Sequence, residues 1–277
     1  MPCHPLLKLV PLFLAGCAGA GAIYEFRPTE GPLLYHITDH GQLLIDTPVG
    51  EQRSTDSTQA TVAIEIGKGD AEGREVSVTF EALQLWAGGD FPARHTEGGE
   101  LIGRPFRGTL SRTGSIKVTA GPDISKELSA VTDPSALFTE LLAPLPPGGE
   151  SEADAWPHRT SFSTQAAMSM QASYDGTASF AGDTTWNGQA ARIIVSEGIT
   201  TATAHGTPAG APGEVEFTYT GRSTTRYIWD PERGVMLASS ASIKAKGELE
   251  VRSMQMKMPI TYEGSRQVAL LKQTEAQ

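Results

Sequence analysis

Cysteine is almost missing from this chain: there are two in 277 residues, Cys3 and Cys17. A disulfide framework for the body of the protein is excluded, so its stability has to come from packing. Basic side chains are also scarce, 22 against 32 acidic ones, for a net charge of −10. Nucleic acid and anionic lipid headgroups both need clustered Lys and Arg, and neither is expected as the main partner. No apolar run approaches the roughly 20 residues of a membrane-crossing helix. Catalytic signatures are missing too: there is no Gly-x-Ser-x-Gly elbow, no phosphate-binding Gly-Lys loop and no dinucleotide fingerprint. Carboxylates are numerous, but no pair stands out. Neither an enzymatic activity nor a cofactor is expected. What the chain does have is glycine, 30 residues, with abundant Thr, Ser and Ala. That composition suits strands and turns better than long helices.

Lys8 is the only Lys, Arg, Asp or Glu in residues 1–16, and Leu9, Val10, Leu12, Phe13 and Leu14 follow it, broken by Pro11. A short apolar stretch behind one positive charge fits the h-region of a signal peptide. The stretch ends in Leu14-Ala15-Gly16-Cys17. These four residues resemble the lipobox of bacterial lipoproteins. The resemblance implies cleavage before Cys17, a diacylglycerol on its sulfur and acylation of the new amine. Acyl chains contribute about 0.8 kcal/mol per buried CH₂, and two or more chains anchor stably. In that family an alanine after the cysteine, here Ala18, leans towards the outer membrane, facing the periplasm. The expected organisation is a signal peptide at 1–16 and a lipid-anchored tether at 17–32.

From Leu33 the chain alternates. Ala60, Val62, Ile64 and Ile66 are spaced by two, as are Val76, Val78, Phe80 and Ala82. Val215, Phe217 and Tyr219 repeat the pattern, and so do Ile243, Ala245, Leu249 and Val251. Period two with one polar face marks antiparallel strands covered on one side. Gly88-Gly89-Asp90, Asp175-Gly176, Asn187-Gly188 and Asp230-Pro231 are turn signals. Asp133-Pro134 sets up a capped helix with Leu137, Phe138, Leu141 and Leu142 at helical spacing, ended by Pro144, and a shorter helix is expected at 123–130. The predicted fold is mainly β: a curved antiparallel sheet, as a half-barrel or two similar β halves, with one or two short covering helices. The halves are 33–145 and 156–277, joined by a linker at 146–155. The hairpins around Gly114 and Gly234 look alike, which raises an internal duplication.

Leu145-Pro146-Pro147, Asp154-Ala155-Trp156 and Gly234-Val-Met-Leu-Ala-Ser239-Ser240 carry a further likeness. With the lipobox, this arrangement resembles a family of uncharacterised β-rich envelope lipoproteins. Ala153 stands where that family has glycine. A curved sheet with covering helices is similar, at the level of fold, to the LolA/LolB-like lipoprotein carriers, which hold acyl chains in their concavity.

Five of seven methionines fall in two clusters, Met168-x-Met170 and Met254-x-Met256-x-Met258. On strands each cluster points one way. Three readings stay open: a plain core face, a pliable lining for an apolar ligand, and a soft Cu(I) site. Copper would want a histidine close by, and none lies in the second cluster, so no metal is expected. Phe138, Met168, Met170, Met254, Met256 and Met258 are the candidate ligand lining. His36, Asp39 and His40 have a weak metal spacing that works only on a helix, where this segment reads as strand and turn. The partners expected are a membrane, through the N-terminal lipid, and an apolar ligand between sheet and helix. The alternative is a scaffold that recruits envelope proteins.

Overall fold

The computed structural model describes residues 24–70, 73–129, 132–149, 154–165, 168–207 and 213–273. The signal peptide, the lipobox and Cys17 lie outside them. Twelve strands form one antiparallel sheet: β1 Leu33–Thr47, β2 Gly50–Gly69, β3 Arg74–Gly89, β4 Arg94–Glu97, β5 Pro105–Leu110, β6 Ile116–Ala120, β7 Ala155–Gln165, β8 Met168–Trp186, β9 Gln189–Gly206, β10 Val215–Asp230, β11 Val235–Val251 and β12 Met256–Gln273. Their order is β6-β5-β3-β2-β1-β12-β11-β10-β9-β8-β7, with β4 added on β3. The sheet is not closed, since β6 and β7 are its two ends. Both ends are awkward templates for further pairing: β6 is short, and β7 carries Pro157.

The two β halves of the sequence are thus continuous. They meet where β1 pairs with β12 along thirteen positions, from Leu33↔Gln273 to Ile45↔Ile260. Period two holds through most strands, and Leu33, Tyr35 and Ile37 are buried on the same face as Ala60, Val62, Ile64 and Ile66. A bulge between Thr61 and Val62 changes the phase of β3, so Leu83, rather than Ala82, is buried. Asn187-Gly188 makes the β8–β9 turn with φ of 50° and 82°, the positive values a type I′ turn requires. Asp175-Gly176, expected as a turn, instead lies in the middle of β8.

One end of the inner face is sealed. Residues from β3, β5 and β6 join residues of β7 to β11 in one buried cluster, so the sheet curls enough for its two ends to share a core. The chain from 132 to 149 fills the gap. Its helical turn is 3-10 rather than α, Pro134–Phe138, and is capped by the Asp133 carboxylate, which accepts from the Ser135 N–H. A single α-turn, α1, precedes it at Lys126–Ser129. Phe138 is fully buried, with ring centroids 5.4 Å from Phe80 and 5.3 Å from Phe106. Leu141 to Pro146 are buried as well, so the 145/146 boundary drawn from composition falls inside the core.

The predicted tether also ends sooner than residue 32. Tyr24 is 2% exposed and Phe26 is buried edge-on against Trp229. The Tyr24 N–H donates to the Gly149 carbonyl, and Thr29 pairs with Ile66 of β2. Two aromatic rings in a Gly/Ala-rich stretch outweighed its composition, because each buries a large apolar area.

The outer face is polar and laced with ion pairs such as Lys244–Glu263, Lys257–Glu248 and Arg159–Asp175. Exposed pairs of this kind are screened by solvent and add little to stability. They do exclude a lipid-facing barrel, which turns its apolar residues outward. Among the described residues, no helix is long and apolar enough to cross a membrane.

Candidate functional site

Cross-strand register lays the inner face out in rows, which change character along the strands. Nearest the sealed core is a row with Ile194, Tyr227, Ser239, Val268 and Ile37. The next two rows are polar. One runs Ser196, Thr225, Ala241, Arg266, Asp39 and Thr58, and the other His158, Gly176, Gly198, Ser223, Ile243, Gly264, Gly41 and Asp56. Beyond them come Tyr174 and Tyr262, and then three apolar rows that reach the hairpin tips.

Two of these apolar rows settle where the methionines go. Met170, Ala204, Phe217, Leu249 and Met258 are directly paired across β8 to β12. Met168, Gly206, Val215, Val251 and Met256 form the next row outward. Four candidate residues from two distant clusters therefore lie on the same two rows, at opposite ends of each. Val215, Val251, Met258, Ile45 and Ile260 are buried there, whereas Leu43, Phe217, Tyr219, Leu249 and Met256 are only half-buried. Met168 and Met170 are half-buried too.

The other two candidates do not belong. Met254 is 57% exposed, in a 3-10 turn at Arg252–Met254. Gln255 follows in the left-handed region, so β12 begins only at Met256 and the in-register run of three is broken. Phe138 is committed to the sealed core, away from the methionine rows. His36 and His40 lie on the outer face and Asp39 on the inner one, since neighbours on a strand point oppositely. Among the described residues, no group of three or more His, Cys, Asp or Glu is placed to hold a metal ion.

Between the polar rows and the 132–140 segment lies a hollow of about 310 Å³. This is the lower end of ligand-pocket volumes, about 300–1,000 Å³. Its wall includes Asp39, Asp56, Asp133, Glu140 and Arg266, with Phe162, Met170, Tyr219 and Tyr262 on the side facing the apolar rows. Arg266 holds Asp39 bidentately, Nε to Oδ1 at 2.6 Å and Nη2 to Oδ2 at 3.0 Å. Glu140 accepts from the Thr160 hydroxyl at 2.6 Å, which ties the segment to β7. Burial pushes the Asp56 carboxyl above the usual carboxylate range, and the nearby Asp39 charge adds to this. Tyr219 and Tyr262 stack at 5.4 Å, and burial raises both phenols, with Asp56 the largest electrostatic contribution to each.

A second polar group was invisible in the sequence. The Ser196 hydroxyl lies 2.7 Å from His158 Nδ1 and 2.7 Å from the Tyr174 hydroxyl. A serine beside a histidine is the pair from which acyl-transfer nucleophiles are built. Here Ser196 is 1% exposed. The Tyr174 ring closes over it, lying so near the β8–β9 backbone that a Cβ on Gly176 or Gly198 would collide with it. Burial lowers the His158 pKa and keeps the ring neutral. With Tyr174 donating to Ser196 and Ser196 donating to Nδ1, all three groups are satisfied. The trio is a buried polar post, with no approach for a substrate carbonyl.

The polar rows could have been flagged from one pattern. Leu33, Tyr35, Ile37, Asp39, Gly41, Leu43 and Ile45 share a phase, and an aspartate in an inward phase needs a partner. Arg266, 227 residues away, could not be named as that partner without the strand order.

No family model matches the chain, and no curated protein does. Among solved structures it is similar to a mutant of the Rh. blastica porin, with 10% identity over 86% of this chain and 99% of that chain, at a TM-score of 0.25. It is similar to DynF from the dynemicin biosynthesis pathway of Micromonospora chersina, with 10% identity over 96% and 91% of the two chains, at a TM-score of 0.23. A Vibrio parahaemolyticus domain named as an outer membrane lipoprotein-sorting protein gives 9% identity over 90% and 88%, at a TM-score of 0.16. At these scores the likeness carries no argument about ligand, activity or location.

Proposed function

We propose that this protein is a non-enzymatic envelope lipoprotein, anchored through Cys17 to the outer membrane on its periplasmic side, that holds an apolar chain on the open end of its inner face. One observation carries the ligand reading. Met170, Phe217, Leu249 and Met256 stay half-buried on the same face that elsewhere forms a sealed core, and Met170, with Tyr219 beside Phe217, lines a hollow. Exposed apolar surface concentrated in a concavity marks a binding surface. Methionine and leucine side chains conform to a flexible chain without demanding one shape.

Native mass spectrometry of the protein, gently extracted from its host, tests the ligand. A reproducible added mass that is lost on delipidation is expected, and a ligand-free species throughout refutes it. Labelling with radioactive palmitate tests the anchor: the wild type should take up label and Cys17→Ser should not. The scaffold reading draws on Val49, 89% exposed at the β1–β2 tip, and Met254 at the β11–β12 tip of the same end. A stable co-purifying protein lost on Val49→Asp with Met254→Asp would favour it.

A further inference from the structure

The hollow assigns a charge to the polar end of its occupant. Four carboxylates face it, from Asp39, Asp56, Asp133 and Glu140, against one guanidinium, Arg266. Arg266 is already spent on Asp39. Asp133 accepts from the Ser135 N–H and O–H, and Glu140 from the Thr160 O–H. Those donors are neutral, and the one charged group that acts on Glu140 from the wall is Arg266, which is bound to Asp39. Burial and the Asp39 charge oppose ionisation of Asp56, and His40, on the outer face, acts the other way more weakly. The wall thus holds three more carboxylates than guanidinium groups around one small space.

Aromatic rings connect this space to the apolar rows. Tyr262 stacks on Tyr219, and Tyr219 lies parallel to Phe217 at 6.1 Å. Ring faces attract cations and accept alkyl chains equally well. An anionic head would meet the like charges of the wall carboxylates, which is costly in a partly desolvated site.

We propose that the hollow seats the positively charged head of a long-chain amphiphile, an alkylammonium type, between Asp56 and Glu140, with its chain along Tyr219 and Phe217 towards Met256. This rests on the reading that the inner face holds an apolar chain. The head sits against carboxylates and the stacked phenols. The chain covers the half-buried side chains of the two methionine rows, and an uncharged or anionic head leaves the carboxylates unpaired.

The test measures displacement of an apolar fluorescent dye from the full chain, made as Cys17→Ser so that no attached lipid competes, by dodecylammonium, dodecanol and dodecanoate below their aggregation limits. Dodecylammonium should displace the dye at concentrations at least about tenfold lower than dodecanoate, with dodecanol between them. Asp56→Asn and Glu140→Gln should each shrink that ratio about fivefold, the equivalent of about 1 kcal/mol for one charge pair near a surface. High salt should shrink the ratio in the unmutated site as well, a readout independent of whether a variant folds. Dodecanoate binding as tightly as dodecylammonium overturns the assignment of charge and leaves the apolar-chain reading standing. A preference unchanged by either variant and by salt overturns the assignment of residues. If none of the three probes displaces the dye, both readings fall.

Discussion

Replacing Phe138 by alanine separates a core plug from a ligand lining. The ring is fully buried and forms a three-ring cluster with Phe80 and Phe106, themselves 5.9 Å apart. Truncating such a residue removes its transfer free energy and leaves a cavity, a loss of about 3–5 kcal/mol. For a domain of this size each kcal/mol lowers Tm by about 2–4 °C, so a fall on the order of 10 °C is expected. The damage should also be local. Residue 138 anchors the segment that carries Glu140 to Thr160, so amide exchange should rise in 132–145 and across the Phe80 and Phe106 strands. The two methionine rows should keep their protection. Calorimetry and hydrogen exchange on the same sample read both effects, with Phe91→Ala, at an exposed site, as the control. A Tm within 1–2 °C of the wild type (about 0.5 kcal/mol) together with weakened binding of an apolar probe would refute the reasoning. It would return Phe138 to the ligand site that its sequence position suggested.

All six tyrosines, Tyr24, Tyr35, Tyr174, Tyr219, Tyr227 and Tyr262, have pKa values raised first of all by burial. Because unfolded phenols ionise near pH ~10, stability is intact below that pH and falls as pH rises above it. Phenolate absorbance should therefore appear in one step that coincides with loss of circular dichroism, and a gradual titration of the folded protein would contradict this. His158 has the opposite sign: its lowered pKa means that stability is present above pH ~6.5 and is lost as the solution becomes more acid, a loss that His158→Gln should reduce in thermal melts across that window. Gly198→Ala should cost about 1–3 kcal/mol by denaturant melt, because its Cβ would lie 2.5 Å from the Asp175 carbonyl oxygen and 2.6 Å from Gly176 Cα. Gly41→Ala should cost less than about 1 kcal/mol, since its Cβ meets only the end of the Asp56 side chain, which can rotate away; equal costs would refute the distinction.

The inward phase of β1, β2, β10 and β11 could be read directly from Leu33, Ala60, Phe217 and Ile243, because period two needs no knowledge of neighbours. The rows could not. Their alignment depends on hairpin lengths and on bulges at Leu34/Tyr35, Thr61/Val62, Ile228/Trp229 and Phe180/Gly182, each of which shifts register by a local choice. That is why Met168 and Met256 were seen as separate clusters and not as the two ends of one row. Gly176 misled for a related reason. An Asp-Gly pair usually breaks a strand, but here the glycine leaves room for the Tyr174 ring, a tertiary need with no local signature. Glu140 carries no signal of its own in the sequence, and its place over the polar rows follows from where Phe138 is buried.

The early docking of Tyr24 has a geometric corollary. Six residues lie between it and Cys17, so the leash of seven Cα steps is at most about 25 Å at roughly 3.5 Å per step. Tyr24 is fastened at the plugged end, beside Gly149, whereas the methionine rows lie at the far end of strands such as β11, 17 residues or about 55 Å long. Lipid on Cys17 would therefore stand the molecule with its stopper towards the bilayer and its mouth out in the aqueous space. Cargo would be collected from, or handed to, something arriving from across that gap, and not drawn up from the lipid beneath.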